Sequence, residues 1–350
     1  MHIKFILPRF HTNMFYPTKV LLENNYDVSI DCAYRGFNEN YSCVKSNIIP
    51  ESFISKFLKK IISSESNKMN KYYLPKPILY KNHFKKNLPD VIIIRPYNTF
   101  FFLNILILSK FYKRQIILYN QINSFDLKKF NFIKKTIYWI LTNFLNIKIV
   151  SPLFLKAKLP KKYFLLPFVS EKIIEYRKKK YDFLLVGKLN KKKNYNLFLQ
   201  AISEIKNNFS VKIVAEISNK EHRDEYKKLK KIIRIYKLKK NVSISLNINH
   251  KDMNNFYDKS KCFVLATDGD LAPISIIEAL CRKCYVLCSD TCGTKNYISK
   301  GQNGYVFKTN NLVSLKSNII KISKIYDKKS INYKYDSLFF MKKIKKIIEN

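Results

Sequence analysis

Short apolar segments typical of buried strands alternate with segments of helical periodicity through most of the chain. Ile3–Leu7 and Val28–Ile30 flank a helical stretch, Phe15–Asn24, in which we expect Pro17 to lie in the first turn. Residues 35–88 give no clear pattern. The alternation then resumes with strands at Val91–Ile94, Gln115–Tyr119 and Ile147–Val150 and helices near Thr99–Lys110 and Leu127–Leu145. Strands and helices in this order predict an α/β fold built from parallel βαβ units.

A second series of the same kind begins at Asp182, after Pro167 and a basic run that ends at Lys180. At roughly 150 residues per domain, a chain of this length predicts two domains. We expect Rossmann-like, doubly wound domains over residues 1–166 and 181–325 that face each other across a cleft, with a hinge over 167–180. A basic amphipathic helix is expected within 326–350, and a return to the N-terminal domain is one placement that we consider. The second series contains expected strands at Phe183–Val186, Val211–Ala215, Val242–Leu246, Cys262–Thr267 and Tyr285–Ser289, and helices at Tyr195–Ile205 and Glu221–Leu238.

The chain carries 66 Lys and Arg against 25 Asp and Glu, which gives a formal net charge of +41. The charge is spread along the chain and thins to +1 in residues 1–50 and again in residues 251–300. No RNA-binding aromatic signature, zinc-finger spacing or long basic tail accompanies it, so we expect no nucleic-acid partner. The richness in Lys, Asn, Ile, Phe and Tyr would follow from an AT-rich genome, which offers a non-functional explanation for part of the charge. Attraction to an anionic membrane surface is the functional interpretation that remains.

No apolar run reaches the roughly 20 residues that a membrane-spanning helix needs. The longest, Phe100–Leu108, is about half that length and is followed by Lys110. Met1–Pro8 resembles a short strand without a cleavage site, so we expect no signal peptide. These features favour a cytoplasmic protein. The charge, together with aromatic-rich basic segments and especially residues 99–148, favours peripheral association with the inner face of the membrane.

The seven cysteines favour the same compartment, because an odd number without a secretory signal indicates reduced thiols. Four of them form a closely spaced run, Cys281, Cys284, Cys288 and Cys292, which raises the possibility of a metal site. The expected strand Tyr285–Ser289 separates their side chains in direction, and the spacing differs from that of common zinc and iron–sulfur sites. We therefore expect small buried thiols and no metal site.

The first candidate binding loop follows the expected strand Phe183–Val186. Gly187 allows the chain to turn, and Lys188 and Lys193 lie beside a helix that starts near Asn194. Ligands of open α/β sheets bind beyond the carboxyl ends of the strands, and a helix N-terminus with two lysines suits a diphosphate. A solvent-exposed basic loop is the alternative interpretation.

The second candidate follows the expected strand Cys262–Thr267. Pro273 suits a helix start, so Ile274 and Ser275 would present backbone N–H groups without helical acceptors. Glu278 lies one turn further, in an otherwise apolar stretch, where a carboxylate is costly without a partner. Vicinal hydroxyls, such as those of a ribose, can satisfy both of its oxygens. A structural salt bridge to a nearby lysine is the alternative.

Asp270 and Glu278, with seven residues between them, resemble the acidic-x7-Glu motif of retaining glycosyltransferases of family 4, also called group 1, which have the GT-B fold. The resemblance covers residues 180–310, whereas residues 1–165 match only in overall pattern. Three further segments are similar to the family's phosphate loop, its next strand with its loop, and its closing turn: Leu184–Lys188 with Lys193 and Asn194, Val286–Thr294, and Gly301–Phe307.

This resemblance implies a first domain that binds the acceptor and a second that binds a nucleotide sugar, without a metal or other cofactor. Glu278 would hold the ribose hydroxyls and Asp270 would contact the donor sugar. The implied donor and phosphate-binding residues are Gly187, Lys188, Lys193, Asn194, Ile274 and Ser275. The chain departs from the family at the first acid, Asp270, where Glu is commoner, and at Lys188, where Arg is usual.

In the first domain the glycine pair common in the family is absent from Pro8–Met14. His11, at the tip after the first strand, is nevertheless a candidate catalytic residue. Tyr119–Gln121 follows another strand and is a candidate for the acceptor pocket. Three other histidines are expected to be surface residues without a role in the site: His83, His222 and His250.

The sequence therefore predicts an enzyme of polysaccharide biosynthesis that moves a hexose or related sugar from a nucleotide-diphosphate donor to a hydroxyl. The acceptor would be a lipid-linked or surface glycan, and the sugar would keep its anomeric configuration. The alternatives are a degenerate, non-catalytic GT-B partner subunit, a basic nucleic-acid-binding protein, and an inverting GT-B enzyme of another family.

Overall fold

The computed structural model describes residues 1–35, 42–62, 73–95, 99–122, 129–154, 159–172, 178–326, 331, 333 and 335–349. The chain divides into two compact units. Unit 1 contains Met1–Phe168 together with Ser337–Asn350, and unit 2 contains Val169–Asp336. Within the described residues, no helix is both long and apolar enough to cross a membrane.

The described strands of unit 1 form a parallel sheet in the order β3-β2-β1-β4-β5-β6-β7. All four side chains of the central strand Val91–Ile94 are buried, as expected where helices cover both faces of a parallel sheet. The strands are β1 (His2–Leu7), β2 (Asp27–Cys32), β3 (Asn47–Ile48), β4 (Val91–Ile94), β5 (Gln115–Tyr119), β6 (Lys148–Ser151) and β7 (Tyr163–Leu165).

The helices of unit 1 are α1 (Thr12–Glu23), α2 (Phe53–Ile62), α3 (Pro77–Lys86), α4 (Phe100–Phe111) and α5 (Phe132–Trp139), which a π-helical turn extends over Ile140–Phe144. Two of them start at side-chain caps: Thr99 accepts from the N–H of Phe102 at 3.1 Å, and Asn131 accepts from the N–H of Lys134 at 3.0 Å. Helices α2 and α3 fall in the stretch that gave no sequence pattern.

Helix α1 begins three residues before the predicted start, so the expectation for Pro17 is wrong. Pro17 lies in the helix interior, where it removes one backbone hydrogen bond. The sequence pattern missed the first turn because Thr12 and Asn13 are polar, although Asn13 is buried.

A buried ion pair lies within unit 1, between strand β1 and its neighbour β2. Lys4 Nζ is 3.6 Å from Asp31 Oδ2, and both side chains are fully buried. Three more groups contact the same carboxylate: Tyr80 Oη at 3.1 Å, His83 Nε2 at 3.1 Å and Asn47 Nδ2 at 3.2 Å. Burial by itself would raise the pKa of Asp31, but these hydrogen bonds and the nearby positive charges hold it below its usual value.

Unit 2 has a second parallel sheet, in the order β10-β9-β8-β11-β12-β13. Its strands are β8 (Tyr181–Lys188), β9 (Val211–Glu216), β10 (Val242–Leu246), β11 (Ser260–Leu265), β12 (Tyr285–Ser289) and β13 (Gly304–Phe307). Its helices are α6 (Tyr195–Ser203), α7 (Lys220–Ile235), α8 (Met253–Asp258), α9 (Ser275–Cys281) and α10 (Leu312–Ser323).

The last helix, α11 (Ser337–Glu349), belongs to unit 1. Lys148 Nζ donates to the carbonyl of Ile347 at 2.6 Å, and Gln115 Nε2 donates to that of Ile348 at 3.1 Å. These two side chains cap carbonyls at the end of the helix, which have no N–H partner within it.

In each sheet the strands that follow the first strand in sequence are added on one side of it and then on the other. In unit 1, β1 lies between β2 and β4, and in unit 2, β8 lies between β9 and β11. Such switch points open a crevice at the carboxyl ends of the two strands, where ligands of this fold class bind. The predicted α/β class with two parallel, Rossmann-like sheets is confirmed.

Candidate active site

In the loop after β8, the side chain of Lys193 lies across the backbone of Gly187. The Lys193 side chain passes so close to Gly187 that a Cβ at this position would lie 2.9 Å from Lys193 Cε. Lys193 Nζ then reaches Asp270 Oδ2 at 2.6 Å. The Lys193 side chain is 16% exposed and that of Asp270 is 27% exposed. The flexible end of Lys193 could move away from such a Cβ, so the stronger reason for glycine at 187 is its φ of +155°, which residues with a side chain rarely adopt.

Lys188 has a different environment. It is the last residue of β8, and its Nζ lies 3.4 Å from Glu216 Oε1 at the end of the adjacent strand. Its side chain is 51% exposed, so this pair contributes little to stability. Of the two predicted phosphate-binding lysines, Lys193 is the one fixed beside Asp270.

The loop ends in a left-handed residue that starts helix α6. Asn194 has φ +49°, and its side-chain Nδ2 donates to Asn310 Oδ1 at 2.8 Å. Tyr195, the first residue of the helix, donates from its Oη to the carbonyl of Gly187 at 3.3 Å. These contacts hold the positive end of the helix beside the Gly187 turn.

Three loops from neighbouring strands meet at this edge of the sheet. The N–H of Asp268, after β11, donates to the carbonyl of Lys192 at 2.7 Å, and the N–H of Gly293, after β12, donates to that of Asp270 at 2.8 Å. Gly293 packs so tightly that a Cβ there would lie 1.7 Å from the carbonyl oxygen of Leu271. The position of Asp270 is therefore set from both sides by backbone contacts.

Helix α9 begins at the end of the same loop. Ile274 precedes it with φ −68°, and its carbonyl accepts from the N–H of Ile277 at 2.8 Å and from that of Glu278 at 3.0 Å. Ser275 is the first helical residue. The N–H groups of Ile274 and Ser275 thus lie at the start of the helix, where intrahelical acceptors are absent.

Glu278 is almost entirely buried on this helix, with 7% of the residue exposed. Tyr257 Oη donates to its Oε2 at 2.8 Å, and His250 Nε2 lies 3.4 Å from its Oε1. The alternative of a salt bridge to a lysine is therefore wrong within the described contacts. The prediction that His250 lies at the surface is also wrong, because its side chain is 14% exposed and turned toward Glu278.

His222 and the four closely spaced cysteines are buried side chains. His222 is buried in α7, and its Nδ1 accepts from the N–H of Ser218 at 3.1 Å, so its predicted surface position is wrong.

The four closely spaced cysteines are buried thiols, and burial raises the pKa of Cys281 and of Cys284 to about 12. Among the described residues, no group of three or more potential ligands could hold a metal ion.

Unit 1 carries the other predicted candidates. His11 precedes α1 at the carboxyl end of β1, and its Nε2 accepts from Arg9 Nε at 3.3 Å. Asn120, after β5, donates through its side chain to the hydroxyl of Tyr138. His83 keeps 28% of its side chain exposed, in keeping with a surface position, and it also contacts the buried Asp31.

The structure therefore brings together eight of the nine predicted site residues in unit 2, while His11 lies in unit 1. Sequence reasoning missed His250 and Tyr257. His250 follows the end of β10, so the rule that ligands bind beyond strand ends gave a usable signal for it. Nothing in the sequence marks Tyr257, which lies within a short helix 21 residues before its partner Glu278.

The contact from Tyr257 gives a direct test of this arrangement. Tyr257→Phe is expected to lower the free energy of unfolding by about 1–3 kcal/mol, because the buried carboxylate loses a charge-assisted hydrogen bond. Urea unfolding measures the change. The control is Tyr236→Phe, whose hydroxyl makes a long, exposed contact of 3.4 Å with Asn196 Oδ1. Equal, small effects of the two substitutions would contradict the role given to Tyr257.

Comparisons with known proteins give a family match for one part of the chain and a fold match for the whole of it. Residues 168–337 match the family model described as glycosyl transferases group 1, and this range includes all of the predicted resemblance over residues 180–310. No curated protein matches the chain significantly by sequence.

Solved structures match over essentially the whole chain. HepE of Anabaena in complex with UDP is 11% identical, with 100% of both chains covered and a TM-score of 0.69. The lipopolysaccharide outer core galactosyltransferase WaaB is 12% identical, with 100% and 99% covered and a TM-score of 0.66. A mutant of S. aureus TarM, in complex with fondaparinux, alpha-GlcNAc-glycerol and UDP, is 12% identical, with 100% of both chains covered and a TM-score of 0.64. At such identities the likeness concerns the fold, and the predicted GT-B fold is confirmed.

Proposed function

We propose that the protein transfers a hexose or related sugar from a nucleotide diphosphate to a hydroxyl, with retention of anomeric configuration, because residues 168–337 match the family model of the glycosyl transferases of group 1. The observation that carries this proposal is the meeting of three strand-end loops at Lys193 and Asp270, with the buried Glu278 in the helix that follows the loop of Asp270. The site combines a fixed cation, two helix starts and a buried carboxylate, which suit a diphosphate joined to a ribose.

Each group has a distinct proposed role. Glu278 accepts hydrogen bonds from the ribose hydroxyls, and Asp270 contacts the donor sugar. Lys193 binds the diphosphate together with the N–H groups of Ile274 and Ser275. Lys188, which is more exposed, adds charge at the entrance to the site. As the bond to the sugar breaks, negative charge grows on the leaving diphosphate, and these fixed donors stabilise it without having to reorganise.

The pair between Lys193 and Asp270 orients both side chains before the donor binds. The carboxylate holds the ammonium group at 2.6 Å, across Gly187. A diphosphate brings more negative charge than one carboxylate, so it can share Lys193 while Asp270 turns to the sugar hydroxyls. This exchange keeps the partly buried Lys193 ammonium group paired with a negative charge in both states.

We propose a uridine diphosphate sugar as donor and a glycan, either lipid-linked or at the cell surface, as acceptor. Support for the donor comes from HepE and TarM, which were solved with UDP. Support for the acceptor comes from WaaB, a transferase of the lipopolysaccharide outer core. The reaction would take place at the cytoplasmic side, where nucleotide sugars are available. His11 remains a proposed substrate contact from unit 1.

The test is a thermal-shift titration with UDP, GDP and ADP and their sugars, on wild type and Glu278→Ala. A nucleotide at 100 times its Kd adds about 2.7 kcal/mol of stability. We expect that increase with one nucleotide family, and we expect Glu278→Ala to abolish it. The increase should persist in EDTA, because Lys193 and the backbone N–H groups supply the positive charge.

Glu204→Ala is the matched control, since Glu204 is an exposed acid of unit 2 that pairs with Lys316 at 2.8 Å. It should keep the full nucleotide response. No response to any nucleotide from folded wild-type protein would contradict the proposed function and favour the non-catalytic alternative. An inverted anomer in the product would contradict retention alone.

A further inference from the structure

Large apolar side chains are exposed unevenly between the two units. Of the twenty-four large hydrophobic residues exposed within the described part of the chain, nineteen belong to unit 1. Helices α4 and α5, with the π-helical turn that follows α5, carry many of them. Isolated exposed apolar residues are ordinary, whereas a concentration of them on neighbouring helices indicates an interaction surface.

Helix α4 is apolar on its outer face as well as its inner one. Phe101 and Ile105 are fully buried in the core of unit 1. On the opposite side, Leu103, Ile107 and Phe111 are 52%, 69% and 71% exposed. These three recur every fourth residue, so they form one stripe along the helix.

Helix α5 and its π-helical turn repeat this arrangement. Tyr138 and Leu141 face the core, while Phe132 is 83% exposed, Trp139 61% and Phe144 79%. A helix that faces only water on its outer side normally carries polar residues there. Large apolar residues on that side of α5 therefore indicate a contact with something other than water.

The two helices are neighbours on one face of the sheet. Helix α4 connects β4 to β5, the following crossover with α5 connects β5 to β6, and these strands are adjacent in that order. Right-handed crossovers that advance in one direction place both helices on the same side. Lys110 Nζ joins their ends by donating to the carbonyl of Leu145 at 3.1 Å.

Basic residues surround these apolar stripes. Residues 99–148 contain eight Lys and Arg and one Asp. Where α4 and the π-helical turn end, a cavity of about 510 Å³ is lined by several of these cations, among them Lys110, Lys113, Arg114 and Lys148. Lys134 and Lys135 are exposed at the start of α5.

We propose that this face of unit 1 docks onto an anionic lipid bilayer. The α4–α5 surface consists of Leu103, Ile107, Phe111, Phe132, Trp139 and Phe144 with the exposed lysines Lys110, Lys113, Lys134 and Lys135. The apolar side chains enter the headgroup region, and the lysines contact the lipid phosphates. A second copy of the chain is a poorer occupant, because it would bring the same positive charge to the contact, whereas anionic headgroups neutralise it.

The single tryptophan of the chain, Trp139, lies within the α4–α5 surface and reports on it directly. On addition of vesicles of equal phosphatidylcholine and phosphatidylglycerol in 150 mM salt, we expect cosedimentation of the full chain and a blue shift of its tryptophan emission. Pure phosphatidylcholine vesicles should bind at least tenfold more weakly, because they lack the anionic headgroups.

Two variants of the surface should each weaken binding at least tenfold: Ile107→Ser with Phe111→Ser and Phe144→Ser, and Lys113→Glu with Lys135→Glu. The controls make the same kinds of change on unit 2, at exposed positions: Ile235→Ser with Val313→Ser, and Lys227→Glu with Lys231→Glu. Controls should bind as wild type does.

Absence of vesicle binding by wild type would overturn the proposal, as would equal losses in the surface variants and the controls. Lipid-free dimerisation that the apolar variant abolishes, without vesicle binding, would assign the surface to a second copy instead. The docking surface is independent of the donor site, so the nucleotide response of the surface variants should equal that of wild type.

Discussion

Replacing Lys193 with methionine is expected to lower kcat for sugar transfer by about a hundred- to a thousandfold. That range is typical of removing one preorganised group that stabilises charge in a transition state. Methionine keeps much of the length that crosses Gly187 but cannot neutralise the leaving diphosphate. Initial rates of UDP release at saturating donor measure the change.

Lys192→Met is the matched control, because Lys192 is exposed, lies in the same loop and contributes its backbone carbonyl to Asp268. The control should keep kcat within about twofold, since its backbone contact is unchanged. Both variants should fold, as Asp270 is partly exposed and can be solvated when it loses its partner. Similar rates for Lys193→Met and Lys192→Met would contradict the role of Lys193.

Asp31→Ala is expected to destabilise the protein by about 3–5 kcal/mol, because it leaves the fully buried Lys4 ammonium without a counter-charge. It also removes the acceptor for Tyr80, His83 and Asn47. Urea unfolding at neutral pH measures the loss. Asp27→Ala, at the exposed start of the same strand, is the control and should change stability by less than about 1 kcal/mol.

The same carboxylate predicts a pH dependence. The pKa of Asp31 is lower in the folded protein than its usual value, which an unfolded chain would show. The stability that Asp31 contributes is therefore present above the unfolded pKa, about 3.9, and is lost as the pH falls through the lower folded pKa. The difference in stability between wild type and Asp31→Ala should shrink over that acidic range. A difference that stays constant down to pH 3 and below would contradict the assignment.

The α/β fold class could be predicted from the sequence. Buried parallel strands are encoded as short apolar runs, and helical segments separate these runs along the chain. Tyr285–Ser289 and Val242–Leu246 have the predicted bounds. The failures have local causes. Helix α2 was missed although its apolar residues and its lysines lie on opposite faces, and the apolar face is not buried, since Phe53 and Phe57 are exposed. The early start of α1 was hidden by the polar residues of its first turn.

The sequence also determined which residues form the candidate site in unit 2. Gly187 and Lys193, at the end of β8, and Asp270 and Glu278, in the loop and helix after β11, could be predicted from the sequence for two reasons. These residues carry the resemblance to the family, and the carboxyl ends of parallel strands meet at one edge of the sheet. That property depends only on the order of strands and helices along the chain, and the apolar pattern of the sequence is enough to predict that order.

Only the tertiary structure decided what these residues contact. It paired Lys193 with Asp270 and Lys188 with Glu216, although both lysines looked equivalent in the sequence. It also placed Tyr257 against Glu278, across 21 residues. The physical reason is that hydrogen bonds and ion pairs depend on side-chain distances of a few ångströms. Those distances are fixed by how strands and helices from separate parts of the chain pack, and local sequence does not contain them.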